Sequence, residues 1–515
     1  MSGTFTATLL QQFDGEFDPE DEDSPEGASE VVGYENGRLY VTNGNLDRID
    51  IFELGKEGTQ ASIDLSFIPG YDGVQSVAVK NGLVAAAVAL ENTTLPDGTV
   101  VGTPGVVAFV DASTLKPIEL VQVGVLPDQV SFNADGSILS VVNEGEFNAD
   151  SETDIDPPGS VSIIEIDGKG DGIGIGRAKT VLFDALDGID TAGVRIDPDV
   201  PAELDLEPEY TAFSPDGSSV FVMLQENNAV GVIDVETKTV VDLLPLGVID
   251  HGADGNGIDP NDEDGAIDIA TFADLVGLRM PDAITSFEIE GETYFATANE
   301  GDGRGDYFVE DDDGNIVGIS DIGDEARVGD IIDTAGAFGA VTIDPSVDTE
   351  GLERLVVSVR DGDVDGDGDI DILNAFGSRS FSIFSDDGSP VFDSGDDFAQ
   401  LIAEIAPERF QDDDGEPNEN RSDNKGVEPE AIDVGEIDGD TFAFIGLERD
   451  SGIAVYNVSD PKNAVLVDYI DGFATGNTGP EVVEFVAAED STTGTPLLLA
   501  SYEISGTTVA YELLG

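Results

Sequence analysis

The chain has 515 residues, of which 109 are Asp or Glu and only 21 are Lys or Arg, so its formal net charge is −88. Nucleic acid is excluded as a partner because binding a phosphate backbone requires a clustered basic face, and an anionic membrane surface is disfavoured for the same reason. Hydrophobic residues make up 40% of the chain, enough to bury a large core, which excludes global disorder.

The side chains that could bind a metal are almost entirely oxygen donors. The sequence has no cysteine and a single histidine, His251, which excludes disulfides and thiolate metal sites. Sites built only from carboxylates select hard cations, so Ca²⁺ is the expected cofactor and divalent cations are the expected partners. The acid excess is equally typical of adaptation to high salt, and both interpretations stay open here.

Targeting signals are not evident in the sequence. No apolar run approaches the roughly 20 residues of a membrane-spanning helix, so no membrane span is expected. Residues 1–5 lack the charged and apolar regions of a secretory signal peptide. Location must therefore be inferred from other features.

In chain order, the first predicted element is an isolated strand at residues 4–10, and a repeated unit follows it. Each unit is a Pro-acid pair that opens a β run, a turn, a second β run that ends in a carboxylate, and a third run. Five complete copies and two weaker ones are present. Seven units of short antiparallel strands predict an all-β, seven-bladed β-propeller, closed by pairing of the N-terminal strand with the last unit.

Acidic, glycine-rich insertions interrupt this repeat within a single domain that spans residues 1–515. They lie at about 145–158, 245–280, 308–354 and 400–427. We expect them to cover one face of the propeller, because connecting segments of this length commonly carry function. The alternative is that they are solvated surface loops.

The repeat places carboxylates at the same position of successive units. The first carboxylate ring is predicted to contain Asp128, Glu209, Asp282, Glu430 and Glu481, with Glu30 and Asp72 from the weaker copies. The second carboxylate ring is predicted to contain Glu144, Glu226, Glu300, Glu448 and Glu503, with Glu91 from a weaker copy. Antiparallel pairing brings both rings to one mouth of the central channel, which we call the funnel.

So many like charges cannot all stay ionised unless cations neutralise them, so the rings predict a divalent metal in the funnel. The structural alternative is that each carboxylate accepts backbone N–H bonds from the next blade. Three arginines, Arg304, Arg379 and Arg421, are candidates either for salt bridges to these acids or for bidentate contacts to a phosphate group.

A local calcium signal lies within residues 361–371. Counted from Asp363 as position 1, the candidate ligands are Asp363, Asp365, Asp367, Asp369 and Asp371, and Gly368 occupies the turn position 6 of an EF-hand-like loop. Position 12 is Asn374 instead of the usual bidentate Glu, which predicts weaker affinity or a different loop. The alternative is a solvated acidic turn. Residues 259–265 are similar in character. His251 beside Asp250 is a candidate general base, although a lone histidine is more often structural.

Several long motifs resemble the choice-of-anchor I family of bacterial cell-surface propellers. They lie in order at residues 143–146, 250–265, 298–302, 376–383, 421–426 and 444–449. The resemblance spans nearly the whole chain. It implies a module located outside the cell or on its surface, and some large members of the family carry an alkaline phosphatase label.

Two functions follow from the residues and the resemblance together. The first is an extracellular Ca²⁺-binding propeller in which funnel metals hydrolyse a phosphoester substrate. The second is a non-enzymatic surface or matrix module that binds a surface partner and is made rigid by Ca²⁺. Both functions are compatible with the predicted fold.

Overall fold

The computed structural model describes residues 5–17, 25–145, 156–168, 172–184, 186–198, 200–311, 314–320, 322–412 and 419–515. Most of the predicted insertion at 145–158 lies outside these residues, as do Met1 to Thr4 and Glu146. The described chain is almost entirely β, and its principal unit is a sheet of four antiparallel strands, here called a blade. The prediction of a β-propeller is confirmed.

The blades follow one another along the chain after β1 (Thr6–Asp14). Blade 1 contains β2 (Val32–Glu35), β3 (Arg38–Asn43), β4 (Arg48–Glu53) and β5 (Ala61–Asp64). Blade 2 contains β6 (Tyr71–Lys80), β7 (Leu83–Leu90), β10 (Pro104–Asp111) and β11 (Lys116–Val125), with the small hairpin β8 (Thr93–Thr94) and β9 (Val100–Val101) between its strands. Blade 3 contains β12 (Pro127–Phe132), β13 (Ile138–Asn143), β14 (Ser160–Asp167) and β16 (Lys179–Leu182), and β15 (Gly174–Ile175) also pairs with β14.

Blade 4 contains β17 (Pro208–Phe213), β18 (Ser219–Leu224), β19 (Ala229–Asp234) and β20 (Thr239–Pro245). Blade 5 contains β23 (Ile284–Ile289), β24 (Glu292–Asn299), β32 (Ser380–Ser385) and β33 (Pro390–Asp393). Blade 6 contains β34 (Pro429–Ile437), β35 (Asp440–Leu447), β36 (Gly452–Asn457) and β37 (Val465–Asp471). Blade 7 contains β38 (Pro480–Val486), β39 (Leu497–Tyr502), β40 (Thr507–Leu514) and the N-terminal β1.

The innermost strands of these blades contact one another in a cyclic order, β2, β6, β12, β17, β23, β34, β38 and back to β2. The second strands are buried nearly throughout, as in β7 and β18, because blades pack against both of their faces. Their sequences are accordingly continuous hydrophobic runs rather than alternating ones. Buried apolar clusters fill the space between neighbouring blades.

Insertions between the strands of blades 4 and 5 form further structure that the sequence pattern did not predict. Their five-stranded mixed sheet contains β21 (Val248–Asp250), β22 (Leu275–Leu278), β31 (Leu373–Ala375), β29 (Val356–Ser358) and β27 (Glu325–Arg327) in that order. Two short pairs accompany it: β25 (Phe308–Glu310) with β26 (Ile316–Ile319), and β28 (Thr342–Ile343) with β30 (Asp369–Ile370). The pairing of β22 with β31 is parallel and joins the two insertions.

The helices are few and short. They are α1 (Ala202–Asp205), α2 (Val328–Thr334) and α3 (Asp397–Ile405), with 3₁₀ turns at Gly44–Leu46, Ala337–Gly339, Pro407–Arg409 and Phe473–Thr475. Across the described residues, no helix has both the length and the apolar character that crossing a membrane requires.

The N-terminal strand completes the last blade, as predicted. β1 pairs antiparallel with β40 from Thr6 opposite Leu514 to Asp14 opposite Thr507. Phe13 of β1 is 2% exposed and packs on Phe52 of blade 1, with ring centroids 5.0 Å apart. The two ends of the chain are therefore joined by hydrogen bonds within blade 7 and by apolar packing at its junction with blade 1.

This closure predicts that Phe13→Ala will destabilise the whole propeller, by about 3 kcal/mol, because truncating a buried Phe removes its apolar contacts and leaves a cavity. Urea unfolding followed by circular dichroism measures the change. Leu9→Ala is the matched control, since Leu9 lies in the same strand but is 44% exposed. Equal destabilisation by the two variants would contradict the role assigned to the junction.

Candidate metal centre in the funnel

In blades 3, 6 and 7 a backbone hydrogen bond brings the two carboxylates together. The N–H of the second-ring residue donates to the carbonyl of the residue before the Pro-acid pair. This bond recurs as Glu144 to Leu126 at 2.9 Å, Glu448 to Glu428 at 3.0 Å and Glu503 to Gly479 at 2.8 Å. Because the bond joins the start of the innermost strand to the end of its neighbour, both carboxylates lie at the same mouth of the channel.

The Pro-acid pair also carries local backbone distortion. The register of pairing shifts immediately after the proline in four blades, at Pro127, Pro208, Pro429 and Pro480. Leu126, Met280 and Glu428, each of which precedes a proline, have positive φ values of 50°, 41° and 48°. Non-glycine residues adopt this conformation at an energetic cost and are concentrated at functional sites. The distorted turn sets the direction in which each first-ring carboxylate points.

The structure brings the predicted funnel residues together. Neighbouring carboxylates add to the effect of burial on the pKa values of Glu209, Asp282, Glu430 and Glu481. The ring members that act on these four include Asp128, Glu144, Glu226, Asp282, Glu300, Glu448, Glu481 and Glu503. Burial is the largest cause at Glu209 and Glu430, with the neighbouring acids second, and both pKa values are well above their usual range. Burial alone raises the pKa of Asp128 to about 7.

The carboxylates of the two weaker repeat copies differ in burial. Burial, followed by the nearby Glu503, raises the pKa of Glu30 to about 7, so Glu30 extends the first ring into blade 1. Asp72 and Glu91, which come from blade 2, are exposed. The rings are therefore densest on the side of blades 3 to 7.

Few basic groups compensate for these acids. Among the described residues, the ion pairs that reach the rings are Lys425 to Glu300 at 3.9 Å and Arg449 to Glu448 at 3.2 Å. Lys425 also pairs with Asp302, which is outside both rings. Arg449 also contacts Glu428, at 2.8 Å, which divides its charge between two acids. Negative charge therefore remains in excess within the funnel.

Several funnel oxygens have no hydrogen-bond partner among the described residues. The buried Oε2 atoms of Glu209, Glu226 and Glu430 lack a partner in this way. Glu209 as a whole is only 9% exposed. Buried carboxylate oxygens are almost always bonded to a donor or a cation, so these three are exceptional. The structural alternative, in which backbone N–H groups satisfy the ring carboxylates, does not account for them.

Three of the carboxylates are close enough to share one ion. Glu300, Glu430 and Glu448 each offer an oxygen, and these oxygens lie within 4.8 Å of one another. Two oxygens bound to one Ca²⁺ at about 2.3–2.6 Å are separated by at most about 5 Å, so this spacing fits a shared ion. The amide of Gln225 donates to Oε2 of Glu300 at 2.7 Å and orients that side chain.

The three candidate arginines are engaged with protein groups. Arg304 pairs with Asp205 at 2.9 Å, and Arg421 pairs with Glu428 at 2.6 Å. Arg379 is buried and donates to three backbone carbonyls, those of Asp259, Ser422 and Asn424, at 2.8–3.1 Å. In this arrangement Arg304 and Arg421 act as salt-bridge partners and Arg379 holds loops together.

The acidic loop at 361–371 divides its carboxylates between two groups. Asp363, Asp365 and Asp371 place oxygens within 4.8 Å of one another, and Asp369 and Asp371 do the same with Asp344. Asp367 belongs to neither group. Asp344 was missed in the sequence because it lies far upstream of the loop, and only the parallel pairing of β28 with β30 brings it there.

Two further acids, Asp433 and Glu484, line the channel below the funnel and were also missed. The channel has a volume of about 1090 Å³ and continues from the rings to the opposite rim. Burial, followed by Asp433, raises the pKa of Glu484 to about 8. Both residues stand three positions after a first-ring Glu, so the repeated Pro-Glu-x-x-acid spacing is a sequence signal that could have identified them.

His251 is structural in this arrangement, as expected. It is 2% exposed, and its Nδ1 lies 2.8 Å from the carbonyl oxygen of Asn256. Burial lowers its pKa to about 4, so the imidazole is neutral at physiological pH and Nδ1 is the donor.

These features define the protein as a β-propeller whose channel mouth is lined by paired carboxylates. The model of the choice-of-anchor I domain matches residues 31–461, and the chain belongs to that family. The resemblance noted in the sequence is thereby confirmed.

Individual relatives are more distant. Gigasin-3a of Magallana gigas is 25% identical over 194 residues, which cover 33% of this chain and 68% of that protein. A mesenchyme-specific cell surface glycoprotein of Strongylocentrotus purpuratus is 27% identical over 257 residues, covering 44% of this chain but only 31% of the relative.

Among solved structures, Kuenenia stuttgartiensis hydrazine synthase has a TM-score of 0.45 and 11% identity, covering 97% of this chain and 99% of that one. The WD40 domain of Toxoplasma gondii coronin has a TM-score of 0.45 and 9% identity, covering 99% and 86%.

The funnel predicts how stability depends on pH in metal-free protein. Burial raises the pKa of Glu226 to about 7 and that of Glu448 to about 8 in the folded state. Protons bound by these groups stabilise the fold fully below the ordinary pKa near 4.5, and this contribution is lost as pH rises through the folded values.

We therefore expect the melting temperature in EDTA to fall between about pH 5 and pH 8. Differential scanning calorimetry across that range measures it. In Glu448→Gln the decline should be shallower, because one of the titrating groups is gone. A melting temperature that is flat or rising over this range would contradict the assignment.

Proposed function

We propose that this protein is a non-enzymatic binding module of the cell surface or extracellular matrix, held rigid by Ca²⁺ bound in its funnel. The observation that carries the proposal is the convergence of Glu300, Glu430 and Glu448 on one point within a buried, undercompensated set of carboxylates. A second divalent ion bound by the loop that contains Asp371 would stiffen the insertion in the same way.

The chemistry of the donors supports a hard cation. All the available ligands are carboxylate oxygens, and the chain has neither cysteine nor a histidine near the rings that would favour a softer metal. A cation bound by Glu430 and its neighbours would supply positive charge where the unpartnered oxygens are. It would also link blades 5 and 6, because Glu300 directly follows β24 of blade 5, whereas Glu430 lies in β34 and Glu448 directly follows β35 of blade 6.

A surface location is supported by family membership and by one relative, since the Strongylocentrotus purpuratus protein is named a cell surface glycoprotein. We infer that the present chain acts in the same setting. Outside the cell, Ca²⁺ is abundant enough to occupy even weak carboxylate sites with affinities in the millimolar range.

The alternative function is metal-dependent hydrolysis of a phosphoester. Its support is the alkaline phosphatase label of some family members and the metal-binding character of the funnel. Phosphoryl transfer usually depends on a basic group that stabilises charge on the phosphate, and Arg304, Arg379 and Arg421 are all committed to protein partners. The module interpretation is therefore the better supported of the two.

Calcium binding is testable by isothermal titration of EDTA-stripped protein. We expect Glu430→Gln to weaken the funnel site by at least about tenfold, because it removes a charged ligand. Glu489→Gln is the matched control, since Glu489 lines the same channel but lies at its exposed rim. Unchanged Ca²⁺ affinity in Glu430→Gln would overturn the funnel site.

Hydrolysis of p-nitrophenyl phosphate and its bis-ester, at pH 7 to 10 with and without Ca²⁺, separates the two functions. The module interpretation predicts that Ca²⁺ raises the melting temperature without producing turnover. Turnover that requires Ca²⁺ and disappears in Glu300→Gln, in protein that remains folded by circular dichroism, would establish the hydrolase and contradict our proposal.

A further inference from the structure

The channel below the funnel is a cavity of about 1090 Å³ that is lined by the innermost strand of every blade. Among the described residues that line it, twelve are acidic and one, Lys80, is basic. Lys80 ends β6 and therefore stands at the rim opposite the funnel. A cavity whose walls carry one sign of charge concentrates the field of that charge and attracts ligands of the opposite sign. The channel is thus suited to a cationic ligand.

Carboxylates line this channel at two levels. The upper level is at the funnel mouth and includes Asp128, Asp282 and Glu481 of the first ring. The lower level contains Asp433 of β34 and Glu484 of β38. In both strands the register of pairing shifts directly after the proline, which inserts one extra residue between the two levels. The extra residue makes a spacing of three equivalent to the usual two, so the first-ring acid and the lower acid face the same side of the strand.

The other blades contribute uncharged residues to the lower level. Each stands three positions after a member of the first ring and lines the channel: Gly33, Gln75, Ser131, Ala212 and Thr285. The two lower acids come from the neighbouring blades 6 and 7. They therefore form one acidic side of an otherwise uncharged ring.

Hydrogen bonds hold the two lower acids side by side. Asp433 accepts the N–H groups of Val434 and Phe485, each at 2.7 Å. It also accepts the hydroxyl of Thr285 at 3.2 Å, so its side chain is fixed. Because Phe485 directly follows Glu484, its bond to Asp433 brings the second acid alongside the first.

Glu484 has an oxygen that the protein does not use. Its Oε2 is buried and has no hydrogen-bond partner among the described residues. A buried carboxylate oxygen is normally bonded to a donor or a cation. The wall of the channel therefore offers a charged acceptor at the lower level.

The wall between the two levels is partly apolar. Val31, Tyr210 and Val482 line the channel there, each one position after a member of the first ring, and each is partly exposed. Methylene groups can pack on such side chains, and the face of an aromatic ring attracts a cation. The levels are separated by roughly 7–10 Å at the rise of a β-strand. A ligand that matches both levels is elongated, with positive charges separated by hydrocarbon.

We propose that the channel binds a linear aliphatic polyamine. One ammonium group binds the carboxylates of the upper level, another donates to Glu484 beside Asp433, and the carbon chain packs on the wall between them. Glu300, Glu430 and Glu448, the proposed Ca²⁺ ligands, are not among the described residues that line the channel. The inference therefore goes beyond the proposed function and does not rest on it.

Isothermal titration of spermidine into Ca²⁺-saturated protein tests this site. We expect one spermidine per chain at physiological ionic strength, and at least about tenfold weaker binding in Glu484→Gln and in Ala212→Lys. The first variant keeps the shape of the side chain and removes its charge, whereas the second places an ammonium group at the lower level. Asp490→Asn is the matched control and should keep the wild-type affinity, since Asp490 lines the same channel at its exposed rim.

A compact cation separates this site from general attraction to an acidic protein. Hexaamminecobalt(III) carries the same charge as spermidine but is too compact to reach both levels, so we expect weaker binding that Glu484→Gln does not change. Equal affinity of the two cations, with equal loss in Glu484→Gln, would overturn the proposal. Unchanged spermidine affinity in both channel variants would overturn it as well. Circular dichroism identifies a variant that fails to fold, and the other variant then decides.

The same titration distinguishes failure of this inference from failure of the proposed function. Spermidine should still bind EDTA-stripped protein and Glu430→Gln, whatever the Ca²⁺ affinity of that variant. Spermidine binding that disappears in either case would contradict a channel site separate from the Ca²⁺ site.

Discussion

Repulsion among buried carboxylates at one mouth of the channel is the constraint on which the rest of this structure depends. A carboxylate removed from water is already destabilised, and each like charge beside it adds to the effect. In the funnel both effects act on Glu209, Glu430 and Glu481 at once. The fold must hold these groups against their mutual repulsion, and protons or cations must neutralise part of their charge.

Backbone hydrogen bonds hold the ring carboxylates in position. In each of blades 3, 6 and 7, one hydrogen bond joins the second-ring residue to the carbonyl that precedes the Pro-acid pair. In blades 3 and 6 the residue before the proline, Leu126 or Glu428, also has a positive φ. These bonds belong to sheets whose strands are packed on both faces, so the strain is distributed over a large buried core. Closure of blade 7 by β1 makes the ring continuous, which prevents the blades from separating under the charge that they carry.

The crowding of carboxylates also determines which charged groups the funnel can bind. Lys425 and Arg449 contact the edges of the acidic set. The candidate phosphate-binding residues Arg304, Arg379 and Arg421 are engaged with protein groups. Protons and hard cations are the species that can neutralise the remaining charge of such an all-oxygen site. The structural role proposed for an ion requires no free basic group, whereas phosphoryl transfer usually does.

The sequence by itself determined the propeller, its closure by the N-terminal strand and most members of the two rings. It could do so because the repeat returns the same residue types at the same position of every blade. It could not show which carboxylate oxygens lie within 4.8 Å of one another, that Asp72 and Glu91 are exposed, or that Asp344 lies beside Asp369 and Asp371. Those relations depend on how the insertions pack. The insertions have no repeat from which to predict their pairing, so only the tertiary structure decided which carboxylates became neighbours.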